Sequence, residues 1–331
     1  MIEYILRRVL LMIPTLFVIS IVSFIIIQLP PGDYLSTVVA NLTEQGQTVD
    51  NAQLEALKAQ YGLGDTIVVQ YGKWMSGILL RGDFGRSFSW NKPVSELIWG
   101  RVGLTFTLSL ATMLFTWALA IPIGIYSAVK QYSLGDYTAT FFGFIGLAIP
   151  NFLLALVLMY VGFKYFGQSV GGLFSPRFID APWSLAKLGD LAAHLWIPII
   201  VLGTSGTASL IRILRANLLD ELKRTYVIAI RSRGQKESTL LWRYPVRVAL
   251  NPFISTIGWA LPQLISGATV TSIVLNLPTT GPLLLQALKS QDMYLAGSFI
   301  LILSVLAVIG TMISDILLAV VDPRIRYSKA G

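Results

Sequence analysis

The sequence predicts an all-α integral membrane protein. Six transmembrane helices place both termini in the cytoplasm, with a sizeable extracytoplasmic segment between helices 1 and 2. Three observations predict this class. Hydrophobic residues make up 54% of the 331 and the mean hydropathy is +0.68, which leaves too little polar surface to solvate a globule of this size. Six runs, 9–32, 102–129, 137–163, 191–211, 248–288 and 293–314, contain no Asp, Glu, Lys or Arg. Each is long enough to cross a hydrocarbon core, which takes roughly 20 helical residues. Under this topology the whole formal net charge of +8 falls on the inward face and the outward face is neutral, the bias that orients membrane proteins.

The first run follows Arg7 and Arg8. It is too long for the core of a signal peptide and no small-x-small cleavage pattern follows it, so residues 1–29 are expected to form a retained anchor helix. Residues 30–101 form the extracytoplasmic segment. Within it 53–61 and 67–80 carry helical spacing, while Gly82, Gly85 and Pro93 mark turns. Five further helices form a core over 102–322, which includes a cytoplasmic loop at 212–247, and 323–331 is a cytoplasmic tail. The fifth run is roughly twice as long as one crossing needs. Asn276, Pro278, Gly281 and Pro282 supply the break, leaving a helix over about 252–275 and a short apolar segment at the membrane face.

Several chemistries are excluded. The chain has no cysteine and a single histidine, His194, so thiolate sites and multi-histidine metal clusters are ruled out. No glycine-rich loop ending in Gly-Lys-Ser or Gly-Lys-Thr is present, so any nucleotide energy has to come from a partner. The spans hold almost no ionisable groups with which to run an enzyme reaction. Asp315 reads as an interfacial or helix-end residue, and His194 as part of an interfacial belt. The basic balance concerns topology and anionic lipid, not nucleic acid.

Glycine and proline punctuate the spans at Pro122 and Gly124, at Gly143, Gly146 and Pro150, and at Gly258, Pro262 and Gly267. Such residues serve close helix packing, or they break helices along a water-filled path where freed carbonyls can be hydrated. On the second reading Pro150, Asn151, Gln263, Ser266 and Thr269 are polar groups at pathway depth.

The most informative stretch is 218–252, basic and amphipathic inside an otherwise apolar chain. Leu219, Leu222, Tyr226 and Ile230 lie three or four residues apart, on one helical face, with Lys223, Arg224, Arg231 and Arg233 off that stripe. Gly234 interrupts the pattern, and Leu240, Leu241 and Tyr244 restart it. Two short helices joined at a glycine turn are expected, forming an elbow that docks on a partner. A bulky residue at 234 is expected to block the turn.

This elbow resembles the coupling motif of binding-protein-dependent ABC importer permeases, with Ile228-Ala229-Ile230 at its start and Gly234 at its glycine. Tyr226-Val227 followed by Ala229, Arg231, Ser232, Arg233 and Gly234 resembles the oligopeptide/dipeptide branch. So do Arg7-Arg8, Pro31-Gly32-Asp33, Tyr61-Gly62-Leu63, Arg81-Gly82-Asp83-Phe84-Gly85, Pro122-Ile123-Gly124, Ile149-Pro150 and Asp322-Pro323-Arg324. The motif's usual acidic residue is replaced by Ile228, and Ile230 stands where alanine is usual. The resemblance implies a type I importer transmembrane subunit in a bacterial or archaeal cytoplasmic membrane, the inner one in a Gram-negative cell. Its partners would be a homologous permease subunit, two ATP-binding subunits and an extracytoplasmic solute-binding protein. It would bind no cofactor itself, with ATP and Mg on the partner subunits, and so would not be an enzyme. It would form half of a path for peptides or similarly sized oligomers such as oligosaccharides. The coupling residues would be Tyr226, Ala229, Ile230, Arg231, Arg233, Gly234 and Leu240. The alternative is an autonomous six-helix channel or secondary transporter, disfavoured because coupling-ion sites need intramembrane carboxylates.

Overall fold

The computed structural model describes residues 2–28, 65–87, 89–167, 171–256 and 269–321. Among these residues the regular structure is helical, apart from one isolated bridge between Arg86 and Pro93. The helices are α1 Ile2–Gln28, α2 Ile67–Arg81, α3 Val94–Val129, α4 Leu134–Ala148, α5 Asn151–Phe166, α6 Leu185–Leu222, α7 Thr225–Ser232, α8 Glu237–Arg243, α9 Pro245–Ala249, α10 Thr269–Val274, α11 Thr280–Lys289 and α12 Met293–Val321. Residues 251–256 are helical as well.

Among the described residues four helices are long and apolar enough to cross a membrane: the Arg8–Ile25 part of α1, α3, α6 and the Met293–Leu318 part of α12. A fifth crossing arises if α4 and α5 together make one span. Six crossings were expected, and in the region of the third α4 and α5 meet at 100°. Proline chemistry accounts for the break. Pro150 has no N–H to donate and disfavours helical geometry in the residue before it. Ile149 is accordingly extended, with φ −79° and ψ 120°. Pro14, Pro122 and Pro198, by contrast, sit inside continuous helices. The fifth expected span falls partly outside the described residues. Its far end matches expectation: α10 stops at Val274, Asn276 takes a positive φ of 50°, and α11 begins after Pro278. The expected helix at 67–80 is α2, which closes on Gly82 in the left-handed region, while the one at 53–61 lies outside the described residues.

The chain divides into two compact units. One comprises 1–8, 105–278 and 307–331, and the other 9–104 and 279–306. In the second unit Val94, Ile98, Leu283, Ala287, Leu295, Ala296 and Phe299 make one buried cluster, and Phe24, Trp74 and Leu301 make another. Asp292 is fully buried there. Its carboxylate accepts from Ser87 Oγ, from the Ser89 amide at 3.1 Å and from the Leu295 amide at 3.2 Å, so it caps α12 while holding Ser87 and Ser89.

The first unit is built around Ala120, Ala128, Leu210, Leu214, Leu218, Val246, Ala249 and Phe253, drawn from α3, α6, α9 and the helical turn after it. Gly124 allows α3 and α6 to approach, since a Cβ there would lie 3.0 Å from Leu214 Cδ2. Asp315, inside α12, pairs with Arg8 of α1 at 2.7 Å. Large aromatic side chains on α4 and α5, Phe141, Phe142, Phe144, Phe152, Tyr160 and Phe163, stand exposed, a surface that suits lipid and that water would penalise.

Candidate functional site

The elbow begins later than the sequence suggested, because α6 runs unbroken through 212–222 and ends at Lys223. Arg224 is extended (φ −66°, ψ 143°) and starts α7. That break resets the helical phase. The stripe Leu219, Leu222, Tyr226, Ile230 assumed one continuous helix. In the structure Leu219 and Leu222 pack on the first unit's core, but the buried residue of α7 is Val227, with Ile230 half-buried and Tyr226 turned outward. The Tyr226 hydroxyl donates to Glu221 Oε2 at 2.6 Å and so fastens α7 back onto the end of α6.

Gly234 is the turn between α7 and α8, with φ +74°. A Cβ at that position would meet no atom within 4 Å, so its requirement is conformational and not steric. This corrects the expectation that bulk at 234 blocks the turn: the cost comes from the left-handed backbone, which L side chains resist. Arg231 bridges the turn, donating from Nε and Nη2 to the two carboxylate oxygens of Glu237 at 3.1 and 2.6 Å. The bond from Arg231 holds the Glu237 carboxyl below its ordinary range, against a smaller opposing effect of burial. Ser232 Oγ donates to the Ala229 carbonyl at 2.9 Å. The elbow is thus a closed, locally hydrogen-bonded unit.

The candidate coupling residues divide by exposure. Ala229, Arg233 and Gly234 face outward, as does Arg231 with its guanidinium engaged by Glu237, while Leu240 is fully buried and supports α8 from within. Pro245 occupies the first turn of α9, where a missing N–H costs nothing, and with Val246 and Ala249 anchors the return to α6. Two exposed apolar side chains complete the outer surface: Ile228 at 56% and Trp242 at 61% exposure. The sequence singled out Ile228 only as a departure from the motif and did not single out Trp242. An exposed isoleucine and tryptophan beside cationic side chains are signs of a surface meant to be covered.

Of the candidate pathway residues, Pro150 lies at the α4–α5 bend and Asn151 opens α5. Thr269 begins α10, which packs against α5. Gln263 and Ser266 lie outside the described residues. His194 is half-buried, its Nδ1 2.7 Å from the Asp190 carbonyl one turn back on α6.

Long apolar helices, a bent helix pair and an exposed elbow at the end of α6 describe a membrane-embedded helical subunit. Comparison with known proteins gives this class its family. Residues 120–327 match the family model described as binding-protein-dependent transport system inner membrane component, and residues 1–111 match that of its N-terminal region. The chain belongs to this family: it is a multi-pass inner-membrane permease subunit of an ABC importer. It is 37% identical to the oligopeptide transport system permease protein AppB of Bacillus subtilis, over 99% of this chain and all of that one. It is 30% identical to the dipeptide transport system permease protein DppB of Alkalihalophilus pseudofirmus, again over 99% of this chain and all of the relative. The nickel import system permease protein NikB of Staphylococcus aureus is 28% identical over 98% of this chain and 92% of its own. Among solved structures, an inward-facing form of the MetNI methionine ABC transporter superposes with a TM-score of 0.50 at 16% identity, covering 69% of this chain and 97% of that one, which shows a shared fold.

Proposed function

We propose that this chain forms half of the translocation pathway of a peptide importer. The elbow around Gly234 is its docking element for an ATP-binding subunit. The observation that carries this reading is the exposed apolar surface of Tyr226, Ile228, Ala229 and Trp242 on an elbow where Arg231, Glu237 and Ser232 are engaged in bonds within the elbow itself. Such a surface fits an apolar groove, with Ile230 and Leu240 supporting it from beneath and Arg233 steering toward an acidic partner. Full-length likeness to the oligopeptide and dipeptide permeases supports peptides as the solute class over oligosaccharides or metal ions.

In this reading six helices place both termini and the 212–247 segment in the cytoplasm. Residues 1–29 anchor the chain, 30–101 lie outside, 102–322 form the permease core and 323–331 the tail. The complex contains a homologous permease subunit, two ATP-binding subunits that hold ATP and Mg, and an extracytoplasmic solute-binding protein. ATP-driven closure of the ATP-binding subunits moves the elbows and shifts the paired permeases between inward-open and outward-open states, to the extent that nucleotide binds the two states unequally. Pro150, Asn151, Gln263, Ser266 and Thr269 line the path.

Affinity purification of this chain from its native membrane tests the reading. Two ATP-binding subunits, a sister permease and a binding protein retaining peptide are expected. Solute-dependent transport by the chain alone would overturn it in favour of an autonomous carrier.

A further inference from the structure

Asp136 is the first unit's most deeply buried carboxylate among the described residues, at 2% exposure, and the sequence gives no hint of a partner for it. The structure supplies one from α6. Arg215 donates from Nε to Asp136 Oδ1 and from Nη2 to Oδ2, both at 2.8 Å. The same carboxylate accepts the Tyr132 amide at 3.0 Å, and the Asp136 amide donates to Ser133 Oγ at 3.3 Å. Tyr132 holds a positive φ of 62°. The whole α3–α4 turn is therefore wound around one carboxylate that is gripped bidentately by α6.

Arg215 lies on the stretch of α6 that carries Leu214 and Leu218, both fully buried in the cluster reached by Val246 and Ala249 of the elbow's return helix. Leucine contacts alone let helices slide past one another at modest cost. A two-bond fork fixes both distance and orientation, and pulling it apart leaves a buried, unpaired charge. The start of α4 is thus fastened to the same block as the elbow. Along the chain from that fastening to the end of α5, helical hydrogen bonding is interrupted once, at the 100° bend where Ile149 is extended and Pro150 has no N–H.

We infer that Asp136 and Arg215 are positioning residues. They form a strut that makes α4 move with the elbow and delivers the displacement to the Ile149–Pro150 bend, which acts as the hinge. The inference rests on the transporter reading and adds to it a specific route from the docking element to the pathway. The strut itself touches no solute.

The chain contains no cysteine, so engineered cysteines report without background. Spin-label pairs in the full complex would join Ser238 on the elbow either to Thr140 on α4 or to Leu156 on α5, all three exposed. Distances would be compared between nucleotide-free and ATP-vanadate-trapped states. The strut requires the 238–140 distance to stay narrow and unchanged while the 238–156 distance shifts. In Asp136→Asn the 238–140 distribution should broaden and shift, whereas a residue that merely stabilised the fold would lower the yield of complex and leave that distance intact. Arg215→Lys, which keeps the charge and loses the fork, should broaden it less.

A 238–140 distance that shifts in the wild-type complex as much as 238–156 overturns the strut. If neither distance changes, the bend is no hinge and the proposal falls. Should Asp136→Asn not assemble, the wild-type pair of distances still decides. Failure of ATP-binding subunits to co-purify is a separate result, and it counts against the transporter reading.

Discussion

Replacing Gly234 isolates one physical quantity, the cost of a left-handed backbone at the elbow turn. Its φ is +74° and no atom lies within 4 Å of a Cβ built there. Alanine and leucine should therefore carry the same conformational penalty, about 1–2 kcal/mol. Asparagine, which visits this region more readily, should cost less. A shift of that size changes the balance between closed and open turn by a factor of about 5–30. Hydrogen exchange in the purified chain reads it directly through the two turn amides, Arg233 to the Ile230 carbonyl at 3.2 Å and Gly234 to the Arg231 carbonyl at 3.0 Å. The expected order of protection is Gly, then Asn, then Ala equal to Leu. A Gly234→Leu chain that opens far more than Gly234→Ala would refute the reasoning, because it would require a steric contact that the turn does not contain. In the assembled transporter, any further loss with leucine over alanine measures how closely a partner approaches residue 234.

Three further perturbations follow from contacts described above. The folded Glu237 carboxyl is depressed by Arg231, so the pair's contribution is present above the unfolded carboxyl value of about 4.3 and is lost as pH falls through the lower folded value. Exchange protection of the elbow should hence be flat near neutral pH and fall only in acid; with both side chains about half-exposed the effect is under about 1 kcal/mol, and Glu237→Gln should remove it. Asp315→Asn should lower the thermal stability of the purified chain by about 2 kcal/mol, between the values for exposed and buried pairs, and the exchange Arg8→Asp with Asp315→Arg should restore part of it. Gly124→Ala should cost about 1–3 kcal/mol in the same melting experiment through overpacking against Leu214.

Legibility in the sequence varied with the range of the interaction. Apolar runs report burial in lipid whatever their neighbours, so the long helices were readable, and local backbone chemistry made Gly234 and the break after Val274 readable as well. Phase was less secure. One extended residue, Arg224, moved the buried position of α7 to Val227, and nothing in the spacing of Leu219 to Ile230 announces such a reset. Pairings between distant elements were illegible. Arg215 counts in the sequence as one more basic residue of a loop, and Asp136 as the charge just before an apolar run, yet they form a fork 79 positions apart. Pro150 was visible, but its 100° consequence was not, since Pro122 and Pro198 sit in helices that continue through them.

Helix α6 links the half-buried His194–Asp190 end of the first unit to the elbow without interruption over 38 residues, about 57 Å at 1.5 Å per residue. At its opening turns Lys187 donates to the carbonyls of Ile179 and Ala181, and Asp190 accepts from Ser175, so the 175–181 loop is fastened to the helix and moves with it. A tilt of only about 5° would carry one end some 5 Å sideways relative to the other, given that length. A displacement of that loop would therefore be magnified at residue 222 if the helix tilted as a unit. Pro198, the point inside α6 that lacks a backbone donor, is where such a helix would bend most easily.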